Sequence, residues 1–437
     1  MRLKAIPPTL FRRSNLPIAL VVSLSLLIGV VYSFVLFPML PENLREVDPD
    51  GLNAIAINLY EGKGLVEESG APVTHKDPLY SVFIAAIYTP FGPHLWMLQL
   101  SAILLHAATI VVLYAIASRL YPGRKLVALA TAAAFGFYPH LVWYLPRAQM
   151  TTLLTFLVAC FMLSLISLLE SPGWKKGAIS GLFLGLSTLT RGVTLLFPLA
   201  LIPVLLLEAR KRRRLAVVSW LFLAFTMLLV MTPYFIRNYS ITNRFDPVAL
   251  RGGVQFLWGS FSLDYDPSFI PVKHQGEVDP VVAARITELR TQVEEDEGEM
   301  TDVEWDVYAQ REAIRSVLEE PLAFLHKVVW QIPRFWVLAY NNTKTTLLKI
   351  SSSVILPLAV IGVAYSLRNR AKILIVLTFA LYYMGVHIAV IAVAGHSLPI
   401  MPYVLMFAVY GLANLAERTT RLRARLAGPR PVVRGLR

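Results

Sequence analysis

The chain has 437 residues, 56% of them hydrophobic, and only 16% are charged. Its mean hydropathy is +0.58. Charged residues cluster and leave long stretches nearly bare, which a bilayer can cover and water cannot, so a water-soluble globular class is excluded. The net charge of +13 and pI near 9.8 would suit a nucleic-acid binder. Here, however, the basic residues sit at the two ends and in short links between apolar runs. That is the placement of a positive-inside membrane protein, and no nucleic-acid partner is called for. The single Cys160 excludes an intramolecular disulfide.

Residues 1–15 carry Arg2, Lys4, Arg12 and Arg13, and the apolar run Leu16 to Leu40 follows. It is longer than a signal-peptide core and lacks a small-x-small cleavage site, so it reads as a retained anchor spanning about 16–38. A polar stretch, 39–78, comes next. Within it Leu52, Ile55, Ala56 and Leu59 recur with helical spacing. Asp48 stands where an N-cap would, Pro49 at the first helical position, and Gly62 and Gly64 where the helix must stop. Val47 and Leu52 are spaced as a hydrophobic staple. Pro78 to Phe91 is apolar but short and interrupted by Pro90 and Gly92, which suits a segment at the interface or dipping into it.

Further spans are expected at about 94–120, 126–145, 149–169, 177–190, 193–207 and 215–235. A long polar region, 238–335, contains the amphipathic stretch Val281 to Leu325, suited to a membrane surface or to capping a cavity. Its acidic run, Glu294 to Glu297, reads as a solvated face. The last spans are about 346–367, 373–394 and 398–416. The expectation is an all-α integral membrane bundle of roughly ten transmembrane helices. It divides into an N-terminal module (1–237, with an outer loop at 39–92), an outer region (238–335) and a C-terminal module (336–437).

Orientation follows from charge. With the N-terminus cytoplasmic, Arg124-Lys125, Lys175-Lys176, Arg210 to Arg214, Arg368 to Lys372 and the arginine-rich C-terminal tail all fall inside. The acidic residues then collect outside, Asp48, Asp50, Glu61, Glu67, Glu68 and Asp77 among them.

Two crossings end in an arginine at that outer face: Gly181 to Gly192 with Arg191, and Thr232 to Asn238 with Arg237. A guanidinium there either snorkels to headgroups or binds an anion, since its fork matches a phosphate. Lys76 is either a flanking charge or a further phosphate contact. Asp48 and Asp50 either stabilise a helix start or do chemistry as well. The eight histidines show no metal-ligand spacing, and no Walker loop or nucleophile elbow is present.

These segments, in order, resemble the polytopic glycosyltransferases of the GT-C fold, in the branch of protein O-mannosyltransferases and aminoarabinose transferases. The matching positions are Asp48, Ala56, Leu59, Gly62 and Gly64; Lys76-Asp77-Pro78-Leu79-Tyr80; Gly185 to Arg191; Pro233 to Asn238; Arg251-Gly252-Gly253; and His396-Ser397-Leu398-Pro399. The chain departs from the pattern at Leu52 (often Tyr), Thr151 (often Glu) and Gly395 (often Arg).

The resemblance implies a GT-C-type bundle with outer-face amphipathic helices in the bacterial inner membrane. It implies transfer of a sugar from a polyprenyl-phosphate donor to a lipid, glycan or protein hydroxyl. Asp48 would be the general base and Asp50 the second choice. Lys76, Arg191 and Arg237 would hold the donor phosphate, with Tyr80, Asn238 and His396 as further substrate contacts. No cofactor is certain; a divalent metal is compatible with the wider fold, though nothing here demands one and no metal ligand is assigned. Two other readings share the basic outer face: a transporter or flippase of lipid-linked glycans, and a catalytically inactive GT-C-like binding protein.

Overall fold

The structure, a computed structural model, describes residues 16–208, 213–245, 249, 252–260, 280–298, 300–339, 342–367 and 370–426. Arg2, Lys4, Arg12, Arg13, Arg210, Lys211, Arg212, Arg251, Arg368, Asn369, Arg430, Arg434 and Arg437 lie outside the described residues.

Among the described residues the architecture is all helical, with one isolated bridge between Val66 and Pro72. Helix α1 (Leu16–Val31) runs on through a π turn and a 3-10 turn to Met39. Then follow α2 (Leu52–Tyr60), α3 (Leu79–Tyr88), α4 (Leu95–Leu120), α5 (Lys125–Gly136), α6 (Pro139–Val142), α7 (Thr151–Glu170) and α8 (Trp174–Thr190). Next are α9 (Phe197–Glu208), α10 (Arg213–Thr242), α11 (Gly252–Ser260), α12 (Pro280–Glu297), α13 (Asp302–Glu319) and α14 (Pro321–Val337). The last three are α15 (Asn342–Ser366), α16 (Arg370–Ala389) and α17 (Met401–Leu426).

Each expected span falls mainly on helical residues, one of them divided between two helices. Six segments among the described residues are long and apolar enough to cross a membrane: Leu16–Met39, Leu95–Leu120, Thr151–Glu170, Arg213–Thr242, Asn342–Ser366 and Lys372–Ala389. The protein is an integral membrane protein. Large apolar side chains such as Leu199, Phe225, Leu229 and Val354 accordingly stand exposed on the bundle surface, as a lipid-facing wall requires.

Two expectations need correction. The span at 126–145 is broken, because α5 stops at Gly136 and Pro139 opens the single turn of α6. The Gly136 carbonyl turns instead to the Ser25 hydroxyl (3.2 Å) and the His106 ring (3.2 Å). Pro233, in turn, does not end its crossing. Helix α10 runs through it to Thr242, so Arg237 sits inside a helix rather than at its end. Neighbouring hydroxyls that bond back to the helix, such as Thr232 to the Leu228 carbonyl (2.8 Å), help a membrane helix tolerate proline.

The helix that delivers Arg191 is placed by close backbone contact. A Cβ at Gly177 or Gly181 would lie 2.2 Å from the carbonyl oxygens of Ser219 and Leu223 on α10. Helices α8 and α10 therefore lie backbone to backbone, the small-xxx-small packing that bilayers favour. The main apolar core unites α4, α5, α7, α9, α16 and α17, with Phe161, Phe197 and Phe379 packed ring against ring.

Candidate active site at the Asp48 end of the bundle

Helix α2 starts three residues later than the capping pattern suggests. Gly51 is its N-cap residue, with φ +65° and no side chain to offer. The capping is done from further back: Asp48 Oδ2 accepts the backbone N–H groups of Asn53 (2.9 Å) and Ala54 (3.0 Å). These are orphan donors of the helix start, and a carboxylate there also meets the positive end of the helix dipole. The stop at Gly62 and Gly64 is as expected, both in the left-handed region. Asp48 Oδ1 is buried and has no hydrogen-bond partner among the described residues. One oxygen of Asp48 is thus structural, while the other makes no hydrogen bond among the described residues.

The segment after α6 holds this loop. The Ala148 N–H donates to the Val47 carbonyl (2.7 Å), and the Arg147 guanidinium donates to the carbonyls of Leu44 and Trp143 while stacking on Phe37. The Gln149 amide donates to Asp50 Oδ2 at 3.4 Å. Burial raises the Asp50 carboxyl above its usual range; the Arg191 charge opposes that, and the Asp48 charge reinforces it. Neither Arg147 nor Gln149 stands out in the sequence, because a polar triplet before a span reads as a flank.

Lys76 arrives over Gly51. A Cβ built on Gly51 would lie 3.3 Å from Lys76 Nζ. The ammonium also lies 3.7 Å from Glu67 Oε1, which His75 approaches at 3.3 Å. Gly51→Ala is therefore expected to cost about 1–2 kcal/mol through the left-handed backbone alone, and to push Lys76 aside. Thermal unfolding of the purified protein, with titration by a lipid phosphate, reads both effects.

Arg191 is the extended residue that ends α8. Its turn is pinned by Tyr382 Oη donating to the Val193 carbonyl (2.7 Å) and by Thr188 with Thr194 (2.8 Å). The half-buried guanidinium has no ion pair or side-chain hydrogen bond among the described residues. It acts electrostatically on Asp50, Asp77, His387 and His396.

His396 lies in a short 3-10 turn, its ring 4.5 Å from that of His387 and its Nδ1 3.1 Å from the Ile391 carbonyl. Burial first, and the Arg191 charge second, hold its imidazole neutral. Helix α14 braces this segment. Lys327 donates to the Ala389 carbonyl (2.8 Å), Gln331 accepts the Ala392 N–H (3.3 Å), and the Ala394 N–H reaches the Leu338 carbonyl (2.7 Å). Beside it, a Cβ on Gly395 would lie 2.8 Å from the Tyr144 hydroxyl, so Tyr144 occupies the space a side chain would need there.

Arg237 is committed elsewhere. Its Nη1 donates to the Val73 carbonyl (2.8 Å) and to Asn238 Oδ1 (3.0 Å), and its Nη2 to the Leu65 carbonyl (2.8 Å). Tyr234, one turn earlier, donates to the Lys76 carbonyl at 3.0 Å. Arg237 and Tyr234 thus fasten the 65–76 loop to α10, with Asn238 accepting from the guanidinium, and the geometry does not leave Arg237 facing an anion as Arg191 does. Arg237→Ala is expected to lower stability by about 2 kcal/mol, the scale of losing hydrogen bonds from a charged donor. The drop should appear in thermal unfolding and exceed any effect on the affinity for lipid phosphate.

Tyr80 is buried in α3, within electrostatic range of Asp48 and Asp50. It packs with Leu52 and Tyr88, and the Tyr88 hydroxyl donates to Asn53 Oδ1 at 2.6 Å. Among the described residues no three His, Cys, Asp or Glu side chains converge as a metal would need.

The arrangement gathers paired carboxylates (Asp48, Asp50), two cations (Lys76, Arg191) and a neutral imidazole (His396) at one end of the bundle. Residues 75–236 match the family described as dolichyl-phosphate-mannose-protein mannosyltransferase. That segment holds Lys76, Tyr80 and Arg191, and ends one residue before Arg237.

Among solved structures, the oligosaccharyltransferase of Archaeoglobus fulgidus in the apo form is similar at 12% identity and TM-score 0.55. The match covers 96% of this chain and 52% of that one, so this chain spans about half its length. The archaeal oligosaccharyltransferase AglB from the same organism, in complex with an inhibitory peptide and a dolichol-phosphate, matches at 12% identity and TM-score 0.53 over 94% and 52% of the two chains. ArnT from Cupriavidus metallidurans, bound to undecaprenyl phosphate, matches at 13% identity and TM-score 0.43 over 90% and 76%. No curated protein matches by sequence. On the strength of the oligosaccharyltransferase match over nearly the whole of this chain, and of the mannosyltransferase segment, this chain has a GT-C-type fold.

Proposed function

We propose that the protein transfers a sugar from a polyprenyl-phosphate donor to an acceptor hydroxyl at the outer face of the membrane. The observation that carries this reading is the uncommitted Arg191 guanidinium within electrostatic range of Asp50, itself beside Asp48, one oxygen of which, Oδ1, has no partner among the described residues. An anion and a hydroxyl proton are what such a site can receive side by side. Support comes also from the AglB complex, where a protein of this fold binds a dolichol-phosphate, and from the mannosyltransferase segment.

In this reading the donor phosphate sits against Arg191 and Lys76, whose charges match the phosphate leaving with the bonding electron pair. Asp48 Oδ1 accepts the proton of the acceptor hydroxyl as its oxygen bonds to the anomeric carbon. The bond from that carbon to the phosphate oxygen breaks on the opposite side, so the anomeric centre inverts. Asp50, tied to Gln149 and close to Arg191, holds the cation in the site without taking the proton. Tyr80 and His396 line the approach. The acceptor is a lipid, glycan or protein hydroxyl.

The test is transfer by the purified protein in vesicles. A labelled sugar on polyprenyl phosphate is supplied with membrane-extracted acceptors, and transfer and lipid translocation are followed together. Sugar transferred with inversion supports the reading. Translocation without transfer overturns it in favour of a flippase.

A further inference from the structure

The two cations assigned to the donor phosphate come from positions more than a hundred residues apart, and one side chain joins them. Asp77, the neighbour of Lys76, accepts the backbone N–H of Gly192 at 3.0 Å with Oδ2 and that of Ala249 at 3.4 Å with Oδ1. Gly192 follows Arg191 directly. The carboxylate therefore fastens the Lys76 loop to the turn presenting Arg191, and both to the chain beyond α10. Among the described residues, the charged and titratable groups facing it are Arg191 from the end of α8, Lys76 on its own loop and Tyr234 on α10. A cavity of about 10 Å³, one water's worth, lies between Lys76, Asp77, Ser81 and Tyr234.

We infer that Asp77 is a positioning residue that sets the spacing of Lys76 and Arg191, and so the affinity of the site for a lipid phosphate. The inference rests on the proposed donor site. Asp77 does not touch the phosphate; it acts through the Gly192 and Ala249 amides. Hydrogen bonds to an ionised acceptor are stronger than those to a neutral one, so the spacing is tightest when Asp77 is ionised. Burial pushes its carboxyl up to about 6, with the two amides and the Arg191 charge opposing. The clasp is therefore complete above about pH 6 and slackens as pH falls through it.

Two effects of the charge have opposite signs. As an anion near the site, Asp77 would repel a phosphate, and removing its charge would tighten binding. As a clasp, it holds the cations in place, and removing its charge would loosen binding. Two amides held at once favour the clasp.

The test is equilibrium binding of polyprenyl phosphate, without sugar, to the purified full chain in nanodiscs between pH 5 and 8. Wild type, Asp77→Asn, Asp77→Ala and Arg191→Ala are compared, with the thermal midpoint recorded for each. Above pH 6, Asp77→Ala is expected to bind roughly tenfold more weakly. Asp77→Asn, which keeps one acceptor oxygen, should fall between it and wild type. Below pH 6 the ratio of Asn variant to wild type should approach one, because a neutral carboxyl and an amide are near equivalents. The lipid phosphate's own second ionisation, also near 6, is common to both proteins and cancels in that ratio. Tighter binding by Asp77→Asn above pH 6, or equal binding by wild type and a folded Asp77→Ala, overturns the clasp while leaving the donor site standing. If wild type and Arg191→Ala bind equally poorly, the donor site and the clasp fall together.

Discussion

Asp48→Asn is expected to lower the turnover number by roughly 10²–10⁴-fold, the usual scale for losing a general base, while the affinity for the lipid-phosphate donor stays within a few-fold. The asymmetry of the Asp48 carboxylate is the reason. Oδ2 holds the Asn53 and Ala54 amides, and an Asn carbonyl oxygen can do the same, since Asn is as good a cap as Asp. Oδ1 is buried without a partner among the described residues, and there an amide group could take no proton. The variant should fold with its thermal midpoint nearly unchanged and still bind donor. If Asp48 served only to start α2, Asp48→Asn would remain active. Single-turnover transfer, with donor binding and thermal unfolding on the same preparations, separates the two roles.

Arg191→Ala is expected to act on the other half of the reaction. Losing the guanidinium removes charge-assisted hydrogen bonds of about 1.5–3 kcal/mol each, so donor affinity should fall by about a hundredfold. Stability should not follow, because the half-buried side chain makes no ion pair or hydrogen bond among the described residues. Arg191→Lys should fall between, keeping the charge but not the planar fork. Turnover should fall as well, because the phosphate carries its charge into the leaving group. A drop in stability with unaltered donor affinity would make Arg191 an anchor of the bundle. The contrast with Arg237 is the sharper for their similar sequence contexts: Arg237 should cost stability and Arg191 affinity.

Much of this was legible in the residues. Apolar runs of the right length marked where helices lie, and the regular alternation of basic links suggested an order through the membrane, because a bilayer imposes both constraints directly on composition. The motifs also brought Asp48, Lys76 and Arg191 to one end of the bundle. What escaped depends on backbone atoms. Nothing in the sequence tells that the Gly136 carbonyl is taken by Ser25 and His106, which breaks a span. Nor does it show that Arg237 is consumed by the carbonyls of Leu65 and Val73. Two arginines ending two apolar runs look alike until their partners are known.

The helix start was misjudged for a related reason. Asp48 caps α2 from three residues before Gly51, through a turn that Gly51 closes at φ +65°. Position-by-position capping rules assume the donor side chain is the N-cap itself. In the sequence Asp77 is legible only as part of a matching segment, and Gln149 and Lys327 carry no signal of their own. Each binds a backbone group or side chain far along the chain, a kind of contact with no local signature.

The account turns on one juxtaposition: a lipid phosphate between Lys76 and Arg191, with the anomeric carbon before Asp48 Oδ1. A structure of the protein with a non-hydrolysable polyprenyl-phosphate-sugar analogue tests it most directly. The account predicts phosphate oxygens about 3 Å from the Arg191 guanidinium and the Lys76 ammonium, the spacing of charge-assisted hydrogen bonds, and the Asp48 carboxylate on the face of the anomeric carbon opposite the phosphate. A phosphate held by Arg237, or lodged away from Asp48 with Arg191 unengaged, would contradict it.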